Sequence, residues 1–399
     1  MGIVVNGMDS SQESSTIKVY RDPNLRIIFT VTLMGVLGVA SITPAFPRII
    51  QDLGIEPRQI GLLIIVFTLP GIFLSPFLGI LADRFGRKRI LFPSLVLFAV
   101  AGGSCGLVRD FDLLLVLRFF QGVGGSALAA LSATVIGDLF EGKARAAAMG
   151  YNASILSVGT ASYPAIGGAL ALFGWNYPFL LPFLALPVAW LVLFRMDTPE
   201  PSRKQRLSEY LKGAGLVLAN RRVVGVFLVS VATFIILYGS LLTFFPLIAS
   251  ERFGASTMAI GLLMSAMSVT TAITSSQLGR LTRKFSEAGL IKISFLLYGA
   301  ALAIIPVTPK LELYLVSAFI FGLGHGMNIP CIMSLMAGYA PMEQRGVLMS
   351  VNGTVLRLGQ TMGPLVMGLA FALWGISGPF YAGAVLALLV FFGGFVFVK

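Results

Sequence analysis

The sequence predicts an all-α membrane protein: twelve transmembrane helices forming two parallel six-helix repeats. Three observations predict it. Apolar residues make up 56% of the 399 and mean hydropathy is +0.89, too apolar for a water-facing globular surface. Apolar stretches of about 20 residues recur along the chain, each long enough to cross the hydrocarbon of a bilayer as a helix. Finally, many residues coincide when the chain is shifted by 200.

The stretches run roughly over 26–48, 58–80, 90–109, 113–137, 146–172, 177–195, 223–248, 258–280, 289–308, 312–338, 346–372 and 377–398, and are called spans 1 to 12 below. Barrel strands would alternate polar and apolar residues, and lipid-facing backbone must bond to itself, so the spans read as helices. An even number puts both termini on one side. Twenty-two Lys and Arg fall on the side of the loop Gly79 to Arg89 and five on the opposite side; only Arg118 and Arg357 lie inside spans. Positive residues are retained in the cytoplasm, so the expectation is a multi-pass inner-membrane protein of the cell with cytoplasmic termini.

The net charge of +12 belongs to that one face. It implies attraction to anionic lipid heads rather than a nucleic-acid partner. Residues 1–25 form a polar cytoplasmic tail without a secretory signal core. Cys105 and Cys331 stand alone within spans, giving no disulfide framework and no metal motif. The expected partners are the lipid bilayer and a small-molecule substrate, with no metal, no cofactor and a monomeric chain.

The shift of 200 aligns Gly54, Ile60, Gly61, Leu62 and Leu63 with Gly254, Ile260, Gly261, Leu262 and Leu263. Later, Arg145, Met149, Asn152, Leu156, Gly159, Pro164 and Gly168 meet Arg345, Met349, Asn352, Leu356, Gly359, Pro364 and Gly368. Six spans per copy means that both copies enter the membrane the same way. The expected division is therefore a six-helix bundle over 26–195, a cytoplasmic linker over 196–222 and a second bundle over 223–399. Within the linker, Leu207 to Leu218 reads as a short surface helix. Two such bundles with a site between them is the architecture of alternating-access transporters.

Between spans 2 and 3 lies GILADRFGRKR, a knot of charge flanked by apolar runs. It resembles the cytoplasmic signature of the major facilitator superfamily through Gly79, Leu81, Ala82, Asp83, Arg84, Gly86, Arg87 and Lys88. A glycine at position 79 permits close approach of another helix, and Asp83 suits a helix N-terminus or an arginine. The resemblance implies a latch that closes the cytoplasmic side against span 11, with Asp138, Glu141 and Arg145 as neighbours. A plain topology anchor is the alternative. The second-half copy, GRLTRKFSE, carries Arg283, Ser286 and Glu287 where the aspartate, second glycine and arginine belong, so no equivalent latch is expected there.

Three further patterns resemble those of twelve-helix drug/proton antiporters. They are LGVASITPAFP (Leu37 to Pro47) in span 1, RFFQGVGG (Arg118 to Gly125) in span 4, and Gly150, Gly159, Pro164, Gly167 and Gly168 in span 5. Tyr163 stands where that last pattern has a glycine. Small residues and proline there suit a moving seam between halves.

Ionisable residues within spans are functional candidates by default; here they are Arg118, His325 and Arg357. All 17 carboxylates fall in tails, loops or helix ends. Arg118 is read in two ways, as a coupling residue exposed to a cavity wall with Gln121, Gly125 and Ser132, or as a donor to backbone carbonyls at a bend. Arg357 shares a polar stripe with Ser350, Thr354 and Thr361, whose first-half counterpart is Ser157. It is a substrate or counter-ion residue, or a snorkelling one. His325, with Asn328 on its face, is the natural intramembrane proton carrier or a packing residue. Tyr238 and Ser265, Ser268 and Ser275 either line the cavity or pack helices.

The leading expectation is a secondary transporter exporting hydrophobic or amphiphilic compounds, with protons as the coupling ion. A carrier of anionic or lipid-like substrates using Arg118, Arg357 and His325 is the alternative, and a non-transporting membrane receptor a remote one. One histidine and two separated cysteines offer no catalytic constellation, so an enzyme is not expected.

Overall fold

The structure, a computed structural model, describes residues 19–197, 207–339 and 345–393. The expected tail up to residue 18, residues 198–206 of the linker and the last six residues of the second bundle lie outside the described residues.

Every expected span is helical. Asp22 caps the first helix by accepting from the Leu25 amide at 3.0 Å, with Pro23 at its first position. Span 2 is Leu62–Phe85, span 3 Arg87–Ser104, span 4 Phe111–Leu139 and span 5 Gly142–Leu170. Span 6 starts as a 3-10 turn, Tyr177–Leu184, and continues as Ala185–Arg195. The linker helix is Leu207–Ala219. In the second half, spans 8 to 12 are Thr257–Ser276, Glu287–Ile304, Tyr314–Tyr339, Arg345–Trp374 and Gly378–Gly393.

By length and apolarity alone, ten stretches among the described residues qualify as membrane-crossing. Two physical causes reconcile ten with twelve. Spans 11 and 12 form one continuous apolar stretch, Val347–Gly393, which turns at Gly375 (φ 65°). Span 5 has 29 residues, ample for crossing, but its small and polar seam residues dilute its hydropathy.

The opening helix of each half is irregular at the same point of the repeat. Span 1 breaks after Pro23–Ala40, passes through the 3-10 turn Thr43–Ala45 and resumes at Phe46–Leu53. Span 7 begins as Arg221–Ile235, widens into a π-helical segment Ile236–Phe244 and ends as Phe245–Phe253. In that segment the Thr243 hydroxyl donates to the Tyr238 carbonyl, five residues back, at 2.7 Å. Such wide turns cluster at functional sites.

In the first bundle span 4 packs on spans 1, 2 and 3, and span 3 packs on span 6. In the second, span 10 packs on spans 8 and 9, span 9 on span 12, and span 7 on span 11. The halves meet along two seams, span 2 against span 11 and span 5 against span 8.

Candidate functional site

Both seams are tight at the face opposite the Gly79–Arg89 loop. A Cβ added to Gly61 on span 2 would stand 2.9 Å from the Pro364 Cβ of span 11. On the other seam, a Cβ on Gly261 of span 8 would collide with the Pro164 carbonyl, and one on Gly168 with the Thr257 carbonyl. Hydrogen bonds cross both contacts. The Thr68 and Thr361 hydroxyls lie 2.8 Å apart, the Thr257 hydroxyl donates to the Gly168 carbonyl at 2.7 Å, and the Ala165 amide donates to Ser265 Oγ at 3.1 Å. Gly167 meets the Ser41 backbone at the break in span 1, which leaves no room for a side chain. Tyr163 is buried, with its ring against Gly159. Its counterpart Gly363 instead lies against the backbone of Gly239.

Toward the basic face the same helices part. Gly79, Gly150, Gly279 and Gly353 each have nothing within 4 Å of a built Cβ. On span 5, Tyr151, Ala153, Ser154, Leu156 and Val158 are exposed, whereas Gly159, Tyr163, Pro164, Gly167 and Gly168 are buried. The close approach expected at Gly79 is therefore absent in this state, because the seam is splayed there.

The charged knot closes on its own half. Arg87 is buried, forms an ion pair with Asp83 four residues earlier, and donates from Nε to Asp138 Oδ2 at 2.9 Å. Burial raises the Asp83 carboxyl above its ordinary 3.8, while Arg87 pulls in the opposite direction. Gly86 holds φ 98° and ψ 143°, a conformation open essentially to glycine alone. Arg145 donates to the Gly137 carbonyl at 2.6 Å and so caps span 4. Arg84 lies exposed near the Phe85 ring, and Lys88 donates to the Met196 carbonyl at 3.1 Å.

Arg118 corrects the cavity-wall expectation. It is fully buried, as is Gln121, while Gly125 and Ser132 are buried too. Its Nε donates to the Leu63 carbonyl at 3.1 Å, and its Nη1 to the Gly38 carbonyl at 2.8 Å and Gln121 Oε1 at 2.6 Å. Its guanidinium lies 4.4 Å from the Phe67 ring centroid. The cause is the break in span 1. The Ile42 amide turns to Val39 and abandons the Gly38 carbonyl, which buried backbone cannot leave unpaired. Gly102 on span 3 leaves the space that the Gln121 side chain occupies.

Arg357 is half-buried on the span 2–span 11 seam. Its Nη1 lies 3.2 Å from Gln360 Oε1, and its Nε would stand 3.0 Å from a Cβ at Gly71. Half-buried Tyr238 is near enough to interact with it electrostatically, and Thr361 donates to the Arg357 carbonyl at 2.9 Å. Ser157 instead bonds within its own helix, to Ala153. Ser268 likewise bonds back to Met264, while Ser275 reaches the Gly326 carbonyl of span 10.

His325 and Asn328 join a polar chain inside the second bundle. His325 Nδ1 lies 2.9 Å from the Tyr298 hydroxyl; Asn328 Nδ2 donates to that hydroxyl at 3.2 Å and to Thr233 Oγ1 at 2.7 Å. Tyr298, Asn328 and Thr233 are fully buried, so spans 7, 9 and 10 are linked by side chains. Sequence reasoning did not single out Tyr298, Thr233 or Thr68. A lone hydroxyl in an apolar run gives no signal until its partner is known.

Two like bundles, joined along two seams that close at one face and open at the other, define a membrane transporter of the alternating-access kind. A family model described as Major Facilitator Superfamily matches residues 28–288 and 227–399. The chain belongs to that superfamily and is a secondary transporter. It is 26% identical over 365 residues to multidrug resistance protein 1 of Bacillus subtilis (strain 168), covering 90% of this chain and 92% of that one. To the quinolone resistance protein NorA of Staphylococcus aureus (strain N315) it is 27% identical over 370 residues, with 88% and 92% covered. Among solved structures, a bacterial homologue of the human lysosomal transporter Spinster, in an inward-facing and occupied conformation, superposes with a TM-score of 0.77 at 18% identity, covering 94% of this chain and 96% of the other. A D-xylose–proton symporter gives 0.80 at 15% identity, with 95% and 98% covered; these likenesses speak to the fold.

Proposed function

We propose that the protein exports hydrophobic or amphiphilic compounds in exchange for protons, with the Gly79–Arg89 loop and both termini in the cytoplasm. In that orientation the structure is the inward-open half of the cycle. The observation that carries the reading is the pair of seams, closed by Gly61 with Pro364 and by Gly261 with Pro164, and splayed at the other end. The resistance relatives supply the substrate class. Every described carboxylate stands at a helix end or in a loop, so an intramembrane proton falls to His325.

The test is reconstitution in liposomes with an imposed pH gradient and a panel of cationic dyes and organic anions. Gradient-driven movement of cationic dyes, with matching proton flux, supports the reading. Compound movement without proton flux removes the coupling, and movement of anions alone removes the substrate class. That last outcome would favour the second reading, an anionic or lipid-like cargo, which rests on Arg357 at the seam. With Arg118 enclosed in the first bundle, that reading has lost one of its three cations.

A further inference from the structure

Away from both seams, on the flank of the first bundle, a recess of about 440 Å³ lies between the start of span 3 and the end of span 6, lined by Lys88, Arg89, Phe92, Pro93 and Leu193. We propose that it binds one anionic phospholipid of the leaflet on the basic face, with the phosphate between Lys88 and Arg89 and an acyl chain along the apolar floor.

The recess has a local cause. Pro93 lies inside the helix Arg87–Ser104. It lacks the amide that would bond to the Arg89 carbonyl, and its ring crowds that carbonyl, which favours a bend at this turn. The volume falls within the roughly 300–1,000 Å³ of ligand sites. Lys88 spends one of its three donors on the Met196 carbonyl and keeps two. Arg89 is exposed and forms no hydrogen bond or ion pair with any described residue; its planar fork matches a phosphate. Among the described residues no carboxylate lines the recess.

A membrane lipid rather than a soluble anion is the occupant because the floor is apolar and continues toward lipid. Trp190 and Phe194, on the same helix as Leu193, are exposed with ring centroids 4.3 Å apart. Basic pockets between helices near a charged membrane face recruit anionic headgroups. The inference does not rest on the transported compound, so it stands or falls apart from the cargo assignment.

The experiment uses the purified full chain with phosphatidylglycerol and phosphatidylethanolamine in equal amounts. Native mass spectrometry should show one phosphatidylglycerol retained preferentially, and Arg89→Gln should weaken that retention about fivefold. Leu193→Trp, which fills the floor and keeps the charge, should abolish it. Arg283→Gln, an equal charge change on an exposed loop of the second bundle, should leave it intact. In a Trp374→Phe background, where Trp190 is the remaining exposed tryptophan, brominated phosphatidylglycerol should quench more than the brominated zwitterionic lipid. Equal losses for Arg89→Gln and Arg283→Gln would reduce the effect to general surface attraction and overturn the site. So would retention surviving Leu193→Trp, or displacement of the lipid by free glycerol phosphate at matched concentration.

Discussion

Gly61 lies against Pro364, and the residues 200 positions away from each, Gly261 and Pro164, make the corresponding contact on the second seam. One pair joins span 2 to span 11 and the other joins span 8 to span 5. Repetition of the contact by repeat-related residues means that one close packing was used twice to seal one face.

Side chains added there should unseal it. Gly261→Val places methyl groups where the Pro164 carbonyl sits, and overpacking of this kind costs about 1–3 kcal/mol. The closed state should lose roughly 5–150-fold in population. Spin labels at Asp52 and Glu251, both exposed at that face, should report longer distances, and transport should fall. An unchanged distance distribution would contradict the seal.

Replacing Arg118 should harm folding before it harms coupling. Arg118→Met strands the Gly38 carbonyl and Gln121 Oε1, each about 1–3 kcal/mol when buried unpaired. Arg118→Lys should recover only part, since an ammonium cannot span three acceptors in the fork geometry. Thermal unfolding in detergent gives the order wild type, Lys, Met. A stable Lys variant that has lost only its proton dependence would return Arg118 to a coupling role.

Gly86→Ala should strain the Gly79–Arg89 loop by about 1–3 kcal/mol, because φ 98° with ψ 143° suits no side chain. The damage should be local: faster protease cleavage at the loop, with little change in secondary structure by circular dichroism.

Asp83 sits beyond the expected membrane stretch, and burial raises its carboxyl while Arg87 opposes the rise. A raised carboxyl binds its proton more tightly in the folded state. Its contribution is therefore fully present below 3.8 and is lost as pH rises through the elevated value. Melting temperature should decline over that window, and Asp83→Asn should flatten the decline. A slope unaffected by the substitution would assign it to another group.

His325→Gln should abolish gradient-driven dye export while leaving dye binding in place, read by fluorescence polarisation. Tyr298→Phe removes the hydroxyl that both His325 and Asn328 contact and should shift the pH profile of export. Gradient-driven export surviving His325→Gln would exclude the histidine as the proton carrier.

Much of the architecture was legible because the membrane enforces it. Spans, loops and the linker helix at Leu207 follow from apolar length and charge. The periodicity of 200 also placed Gly61 with Gly261 and Pro164 with Pro364. It did not say that Gly61 would meet Pro364 rather than Pro164, because which half each glycine touches is a tertiary fact. Arg118 shows the same limit. A buried arginine and a cavity-facing one look identical in sequence, and the carbonyl that draws this one inward is freed by a turn at Ser41 whose effect is felt 80 residues away. His325 and Asn328 were visible by rarity, whereas Tyr298 was hidden among 10 tyrosines.

The irregular turns of spans 1 and 7 carry one more consequence. A 3-10 turn climbs more per residue than an α-turn, whereas a π-turn packs more residues into each revolution. The entry helix of one bundle is thus stretched where its twin is shortened. Both helices nevertheless end at repeat-related glycines of positive φ, Gly54 and Gly254, and the contacts that follow them, Gly61 with Pro364 and Gly261 with Pro164, are again equivalent. The twofold is thus broken inside the entry helices and restored at the sealed face, so the asymmetry is confined to the segments that border the opening.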